Sequence, residues 1–546
     1  MDRKKESFSL SGKVLSRGFG EGKVFIYRDV LKKFDELYDI IDDSQTENEI
    51  RRLSRAVVRI SGDLKSLAAH VETEIDSDLA RVFHAHIAII DDPVLRNEIE
   101  KEIRDELVSA GSAVRVVFRR WERRLGSMES ELIRQKADDM RDLTRRLVSS
   151  LAGVHSHVLD DFPAGSVLIA RRLLPSDTVF LSRRSASAVL LEEGGRSSHA
   201  ALFAREIGLP CISGIRNILE KIEPESYAQV DAETGRIIIN PDVDEKTSFH
   251  EKWKQQKLTQ SAIQLASQEP AITQNGPVIN VYANVGCRED SIRAIENGAD
   301  GIGLYRIEQA YMGLQEPPNA ARLFEIMYET LEPAKHLPVY VRLLDIGADK
   351  TLSFVDLKKE VNPSLGKRGI RFLNNFQGLL KTQINVLLQL SQQFNLHILV
   401  PMVTLPKDIL LVKNILKDCA ASNSIKAPLP KLGAMVETPA AALSSSDIAQ
   451  YTDFLSFGTN DLTQYTFAAD RENEAVEDYF DDTHNAIFRL MDIVHNDIPE
   501  MPLSLCGELA GNPEYTCNVL KCGITSLSTA PLSIPAIKKA VRESAL

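Results

Sequence analysis

Residues 432–437 read LGAMVE and residues 454–461 read FLSFGTND. Each is a short apolar run that halts at polar groups, with Glu437 at or beyond the end of the first and Asn460-Asp461 beyond the second. A run of this length without alternation suits a strand buried on both faces, as in a parallel sheet. Similar runs lie on either side: VINVYAN (278–284), GIGLY (301–305), VYVRLLD (339–345), HILVPMV (397–403), PLSLCG (502–507) and ITSLS (524–528). Helical segments separate them. Eight such runs in roughly 270 residues match the size of a (β/α)8 barrel, a TIM barrel in outline. The polar residues at their C-terminal ends are Arg306, Arg342 with Asp345, Glu437, Asn460-Asp461, and Cys506-Gly507-Glu508. A barrel builds its active site on that face.

Those residues imply a type of ligand. Glu437 and Asp461 form an oxygen-only pair with open positions, which suits Mg²⁺. Arg306, Arg342 and Arg368 stay charged and bind phosphate or carboxylate in bidentate fashion; Arg471 and Lys350 add to them. The ligand expected is small, multiply anionic and metal-chelating. Cys506 could act as an acid beside the metal, although on spacing alone buried packing is the commoner role for a free cysteine.

The first half of the chain is organised differently. Residues 10–28 have the glycine content and alternation of β structure. Ile50, Leu53, Val57, Ile60, Leu64, Leu67 and Val71 then recur at steps of three and four, the mark of an amphipathic helix. Helical sequence continues through 94–124 and 128–152. Strand-like runs return at Ser166–Ala170, Ala188–Leu191 and Ile237–Ile239. An α/β domain interrupted by a helical insertion is the simplest account. Residues 244–268 are polar and free of glycine, suggesting a linker helix.

Within that α/β half, residues 192–214 read EEGGRSSHAALFAREIGLPCISG. Gly194-Gly195 signals a loop, and Ser197 or Ser198 is a natural N-cap. A helix from Ala200 to Ile207 would close on Gly208 with Pro210 beyond. His199 would then lie in the first turn, where the helix dipole favours neutral, nucleophilic imidazole by about 0.3–1 kcal/mol. Free N–H groups and Arg196 suit a phosphate there. His199 is therefore a candidate phosphate carrier. His84-Ala85-His86 and His155-Ser156-His157 are poor metal sites, because residues two apart on a helix face different ways.

Composition limits the alternatives. The 546 residues are 43% hydrophobic and 26% charged, ordinary for a soluble multidomain protein. No apolar run is long enough for a membrane span, and MDRKKESFSLSGK lacks a secretory core, so a cytoplasmic protein is expected. The net charge of −12 argues against nucleic acid as a partner. Six cysteines form no CxxC pair, which fits reduced thiols.

MVETPAAA (435–442), SFGTNDLTQYTFAADREN (456–473), CGELAG (506–511) and GGRSSHAALFAR (194–205) resemble enzyme I of the phosphoenolpyruvate-dependent sugar phosphotransferase system. FHAHIAIIDDP (83–93) and DDMRDLTRRL (138–147) extend the resemblance through the helical insertion. The resemblance implies a swivelling α/β phosphohistidine domain (1–29 and 160–243) carrying an inserted helical domain (30–159). A linker helix (244–269) and a phosphoenolpyruvate-binding barrel (270–546) follow. It implies that His199 is phosphorylated beside Thr178, and that Glu437 and Asp461 hold Mg²⁺. Arg306, Arg342, Asn460, Asp461 and Arg471 would contact substrate, with Lys350 and Arg368 joining them. Cys506 would deliver the proton to the enolate. The helical insertion would dock HPr, the small phosphocarrier protein. Residues 71–92 carry six acidic side chains against Arg81 alone, a face suited to a basic partner. A homodimer through the barrel is also implied.

The chain departs from that pattern in places. RIEQAY (306–311) stands for the usual RTEFLF, Ala348 for the second glycine of DIGGDK, and Lys367 for an aromatic before Arg368. The chain also stops at Leu546, where relatives continue, and a dimer weaker than usual is expected from this. Two other readings are a catalytically weak regulatory phosphoprotein and a dikinase or synthase relative lacking its nucleotide domain.

Overall fold

A computed structural model describes residues 7–27, 39–74, 77–126, 131–153, 159, 162–195, 198–274, 276–312, 314, 316–347, 352, 354–355, 360–425, 428–471 and 473–546. These form two compact units, Met1–Lys257 and Leu258–Leu546.

The first unit opens with β1 (Phe8–Ser11), β2 (Lys13–Ser16) and β3 (Phe19–Tyr27). Five helices follow: α1 (Thr46–Glu74), α2 (Ser77–Ile90), α3 (Pro93–Glu106), α4 (Ala110–Gly126) and α5 (Glu131–Leu151). The apolar stripe read from the sequence is the buried face of α1: Ile50, Leu53, Val57, Ile60, Leu64, Leu67 and Val71 all lie in one core. Each such side chain contributes about 1.5–3 kcal/mol on burial. The helical sequence read over 94–124 forms two helices. Leu107 adopts a left-handed φ of 50° and ends α3, and Val108 then bridges to Ile40.

The chain then returns through β4 (Val167–Ala170), α6 (Pro175–Arg183), β5 (Ala188–Leu191), α7 (His199–Glu206) and β6 (Cys211–Ser213). After α8 (Ile218–Lys221) come β7 (Tyr227–Asp231) and β8 (Arg236–Ile239). The mixed sheet has the order β1-β8-β7-β3-β4-β5-β6-β2, with β3 to β6 parallel. The helical core extends into this half. Val179 of α6 and Phe203 of α7 belong to it, and the Phe203 ring meets Phe83 of α2 edge-on at 6.2 Å. Buried Arg145 of α5 also ties the two parts together. It bonds Tyr27 of β3, Asp177 and Ser176 of α6, and Asp142. A long helix, α9 (Val243–Ala266), occupies the stretch read as a linker.

The second unit is the expected barrel. After β9 (Ala271–Ile272), eight parallel strands close on themselves: β10 (Val278–Val285), β11 (Ile302–Arg306), β12 (Pro338–Arg342), β13 (Asn395–Val403), β14 (Lys431–Val436), β15 (Phe454–Phe457), β16 (Leu503–Leu505) and β17 (Ser526–Thr529). Each contains part of one apolar run read from the sequence. β10 pairs with both β11 and β17, which closes the ring.

Lys538, on the last helix (Ile534–Glu543), is 1% exposed and bonds Asp300 at 2.7 Å. Lys538→Ala would leave Asp300 without its cation. Because Asp300 retains some solvent contact, the loss should fall at the lower end of the range for a broken buried pair, about 3 kcal/mol. Urea unfolding of the full chain checks it.

Inside the barrel, His397 lies against Tyr340, with ring centroids 4.6 Å apart, and near Phe454. Burial, aided by Lys431, lowers its pKa to about 4. The unfolded chain therefore binds the extra proton first, and stability falls as pH drops from about 6.5 toward about 4. In His397→Gln the thermal midpoint should fall less steeply over that window.

Candidate active site

His199 is the first residue of α7, in the loop-to-helix turn that follows parallel strand β5. Gly194 takes a φ of 145°, open to glycine, and turns the chain toward the helix. Ser198 is the N-cap: its Oγ accepts the Ala201 N–H at 3.3 Å and its hydroxyl donates to the Gly195 carbonyl at 2.9 Å. The helix closes as read, with Gly208 at a left-handed φ of 65° and the Leu209 N–H returning to Ala204. Thr178, the expected partner of His199, is buried on α6, where its hydroxyl donates to the Pro175 carbonyl at 2.6 Å. Arg196, and the side chain of His199, lie outside the described residues.

On the barrel, the strand ends deliver a connected charge network. Arg342, the last residue of β12, donates to Glu308 Oε1 at 2.7 Å and lies 3.3 Å from Asp345 Oδ2. Arg368 joins two strand ends. It bonds both Asp345 oxygens (3.3 and 3.1 Å) and both Asp461 oxygens (2.6 and 2.9 Å). Glu437 follows β14 and accepts the Met402 N–H at 2.7 Å. That donor exists because Met402 takes a left-handed φ of 54° where the register of β13 shifts. Gly458 lets the Glu437 carboxylate lie against backbone, since a Cβ there would come within 2.7 Å of Oε1.

Glu308, Arg342, Asp345, Arg368, Glu437 and Asp461 are all buried. Among the described residues, four buried carboxylates thus meet two guanidinium groups. Burial, then the neighbouring Asp461 and Asp345, push the Glu437 carboxyl up to about 8. Among the described residues, Glu308 Oε2, Arg342 Nε and Thr459 Oγ1 are buried without a hydrogen-bond partner, which marks a site shaped for a polar ligand. The excess of negative oxygen fits a divalent cation held by Glu437 and Asp461. The sequence reading gives Asp461 open positions; here Arg368 engages both its oxygens.

The other expected residues lie around this centre. Arg306 ends β11 and is exposed. Asn460 and Glu508 exchange two hydrogen bonds, at 3.2 and 2.9 Å. Arg471 is exposed, and its N–H reaches Gln464 Oε1 at 3.4 Å. Cys506, just past β16, is buried close enough to Glu437, Arg342 and Arg306 for their charges to reach its thiol. Burial dominates and pushes that thiol up to about 11, so it keeps its proton at neutral pH. Lys350 lies outside the described residues. No group of three or more His, Cys, Asp or Glu side chains suited to a metal is present among the described residues. His84 is exposed, while His86 is fully buried against Asp139 at 2.9 Å; His155 and His157 fall outside the described residues.

Sequence reasoning passed over Glu308 and the Met402 N–H. Glu308 was visible two residues beyond Arg306, and it is buried as the partner of Arg342.

Comparison with known proteins gives the family. Residues 260–546 match the PEP-binding domain of PEP-utilising enzymes, 11–136 their N-terminal domain and 162–235 their mobile domain. These matches place the chain among enzymes that use phosphoenolpyruvate. It is 34% identical over 514 residues to the phosphoenolpyruvate-protein phosphotransferase of Geobacillus stearothermophilus, covering 92% of this chain and 89% of that one. The Haemophilus influenzae protein of that name is 31% identical over 541 residues, 98% of this chain and 93% of its own. That of Bacillus subtilis (strain 168) is 32% identical over 498 residues, 90% and 87%. The chain belongs to the phosphoenolpyruvate-protein phosphotransferase family.

Proposed function

We propose that this chain takes the phosphoryl group of phosphoenolpyruvate onto His199, passes it to the phosphocarrier protein HPr and releases pyruvate. The observation that carries the reading is the buried network of Arg342, Arg368, Glu437 and Asp461 beside the Cys506 thiol, in a chain of this family. Arg306 and Arg342 hold the phosphate and carboxylate of the substrate, with Asn460 and Arg471 closing over it. Glu437 and Asp461 would hold Mg²⁺, which would supply positive charge to offset the phosphate and the developing enolate. A nitrogen of His199 forms the new bond to phosphorus as the bond to the enol oxygen breaks. Cys506 then gives its proton to the enolate carbon, leaving a thiolate that solvent reprotonates.

The reading assigns 1–29 and 160–243 to the phosphohistidine part, 30–159 to HPr docking, 244–269 to a linker and 270–546 to the barrel. Residues 71–92 supply acidic side chains for a basic partner. It further takes the protein as cytoplasmic and as a homodimer through the barrel. No described helix is long and apolar enough to cross a membrane.

The experiment is incubation of the full chain with phosphoenolpyruvate carrying labelled phosphate, with and without Mg²⁺, followed by mapping of the label. Label on His199 that requires Mg²⁺ and moves to added HPr supports the reading. Label elsewhere, or none, overturns it.

A further inference from the structure

The layer of the barrel interior beneath the charge network is apolar, formed by Leu304, Leu399, Met435, Phe454 and Cys506. A buried serine hydroxyl reaches into it. Ser456 of β15 is 2% exposed, and its Oγ donates to Cys506 Sγ at 3.4 Å. The thiol in turn donates to the Phe457 carbonyl at 3.3 Å. The bond to Cys506 is the Ser456 hydroxyl's one hydrogen bond among the described residues. Burying a hydroxyl in apolar surroundings costs free energy unless its partner repays it. A neutral thiol is a weak acceptor and repays little. A thiolate is a strong acceptor.

We propose that Ser456 is a positioning residue for the proton transfer, holding the Cys506 sulfur and donating to the thiolate formed when its proton leaves. The inference rests on the reading of Cys506 as the acid. In the step, the S–H bond breaks as a C–H bond forms at the terminal carbon of the enolate. The electron pair left on sulfur meets the Ser456 O–H, and a solvent proton later restores the thiol. The same hydrogen bond holds Sγ in place while the S–H turns from the Phe457 carbonyl toward substrate. Burial pushes the thiol up, and the Ser456 bond acts against that shift.

The test uses the full chain with Mg²⁺, HPr and phosphoenolpyruvate bearing one deuterium at its terminal carbon in known geometry. Turnover runs in tritiated water, and the handedness of the product methyl group is read. Protonation on the enzyme gives one hand, whereas enolate released unprotonated gives both. Ser456→Ala should label His199 at the normal rate with an unchanged KM. Its on-enzyme proton transfer should fall about tenfold or more, as for loss of a hydrogen bond to a charged group, with mixed handedness in the product. Ser456→Thr, which keeps the hydroxyl, should recover both rate and handedness. Normal rate and single handedness in Ser456→Ala, alongside a defective Cys506→Ser, would overturn the role of Ser456 alone. A Cys506→Ser enzyme that keeps both would overturn the reading of Cys506 and this inference with it.

Discussion

His199→Ala should abolish acid-labile, base-stable labelling of the chain by phosphoenolpyruvate and leave the fold intact. The two halves of that expectation have separate grounds. Labelling needs a nucleophilic nitrogen, and alanine has none. The fold survives because His199 is the first residue of α7, where the cap belongs to Ser198 and its bond to the Ala201 N–H. Alanine is also a good helix former. The packing of α7 comes from Ala200, Ala201, Ala204 and Phe203, all buried and untouched by the change. Labelling is measured after rapid mixing, and the fold by the far-ultraviolet spectrum and thermal midpoint. Undiminished label in the variant would remove His199 from the mechanism.

Glu437→Gln and Asp461→Asn should each abolish pyruvate formation at ordinary Mg²⁺. Each replaces a charged oxygen donor by a neutral amide in a site with few others. The two variants should differ in stability. A glutamine carbonyl can still accept the Met402 N–H, so Glu437→Gln should fold normally. Asp461→Asn would leave Arg368 half-compensated, since two of that side chain's bonds end on the aspartate. Breaking a buried pair in this way costs about 3–5 kcal/mol. Coupled-assay rates across a Mg²⁺ series, with unfolding curves beside them, separate the two effects. Near-normal turnover in either variant would mean that the cation is held elsewhere.

The barrel was legible because parallel strands buried on both faces leave continuous apolar runs, and each run in the sequence lies on a strand. The edge of α3 was not, because Leu107 ends the helix in a left-handed conformation without glycine or proline to announce it. β7 was overlooked for a related reason: Gln229 and Asp231 interrupt its apolar pattern, although both are buried. At the site, Arg342 and Glu437 could be found by their places at the ends of apolar runs. Arg368 stands in a loop, and its bond to Asp461 spans 93 residues, a separation over which no local pattern operates. The donor to Glu437 is a backbone N–H, which residue identity does not display.

Arg368 gives the barrel its own internal counter-ion. Its guanidinium fills the positions on Asp345 and Asp461 that a cation would otherwise claim. Ligand entry is therefore an exchange of partners, and its free energy is what remains after these bonds are given up. A small monoanion has little to offer in return. A polyanion arriving together with a divalent cation can satisfy both sides at once, the aspartate by the metal and the arginine by the anion. The site should thus discriminate by charge stoichiometry as much as by shape, with metal and substrate each raising the affinity for the other.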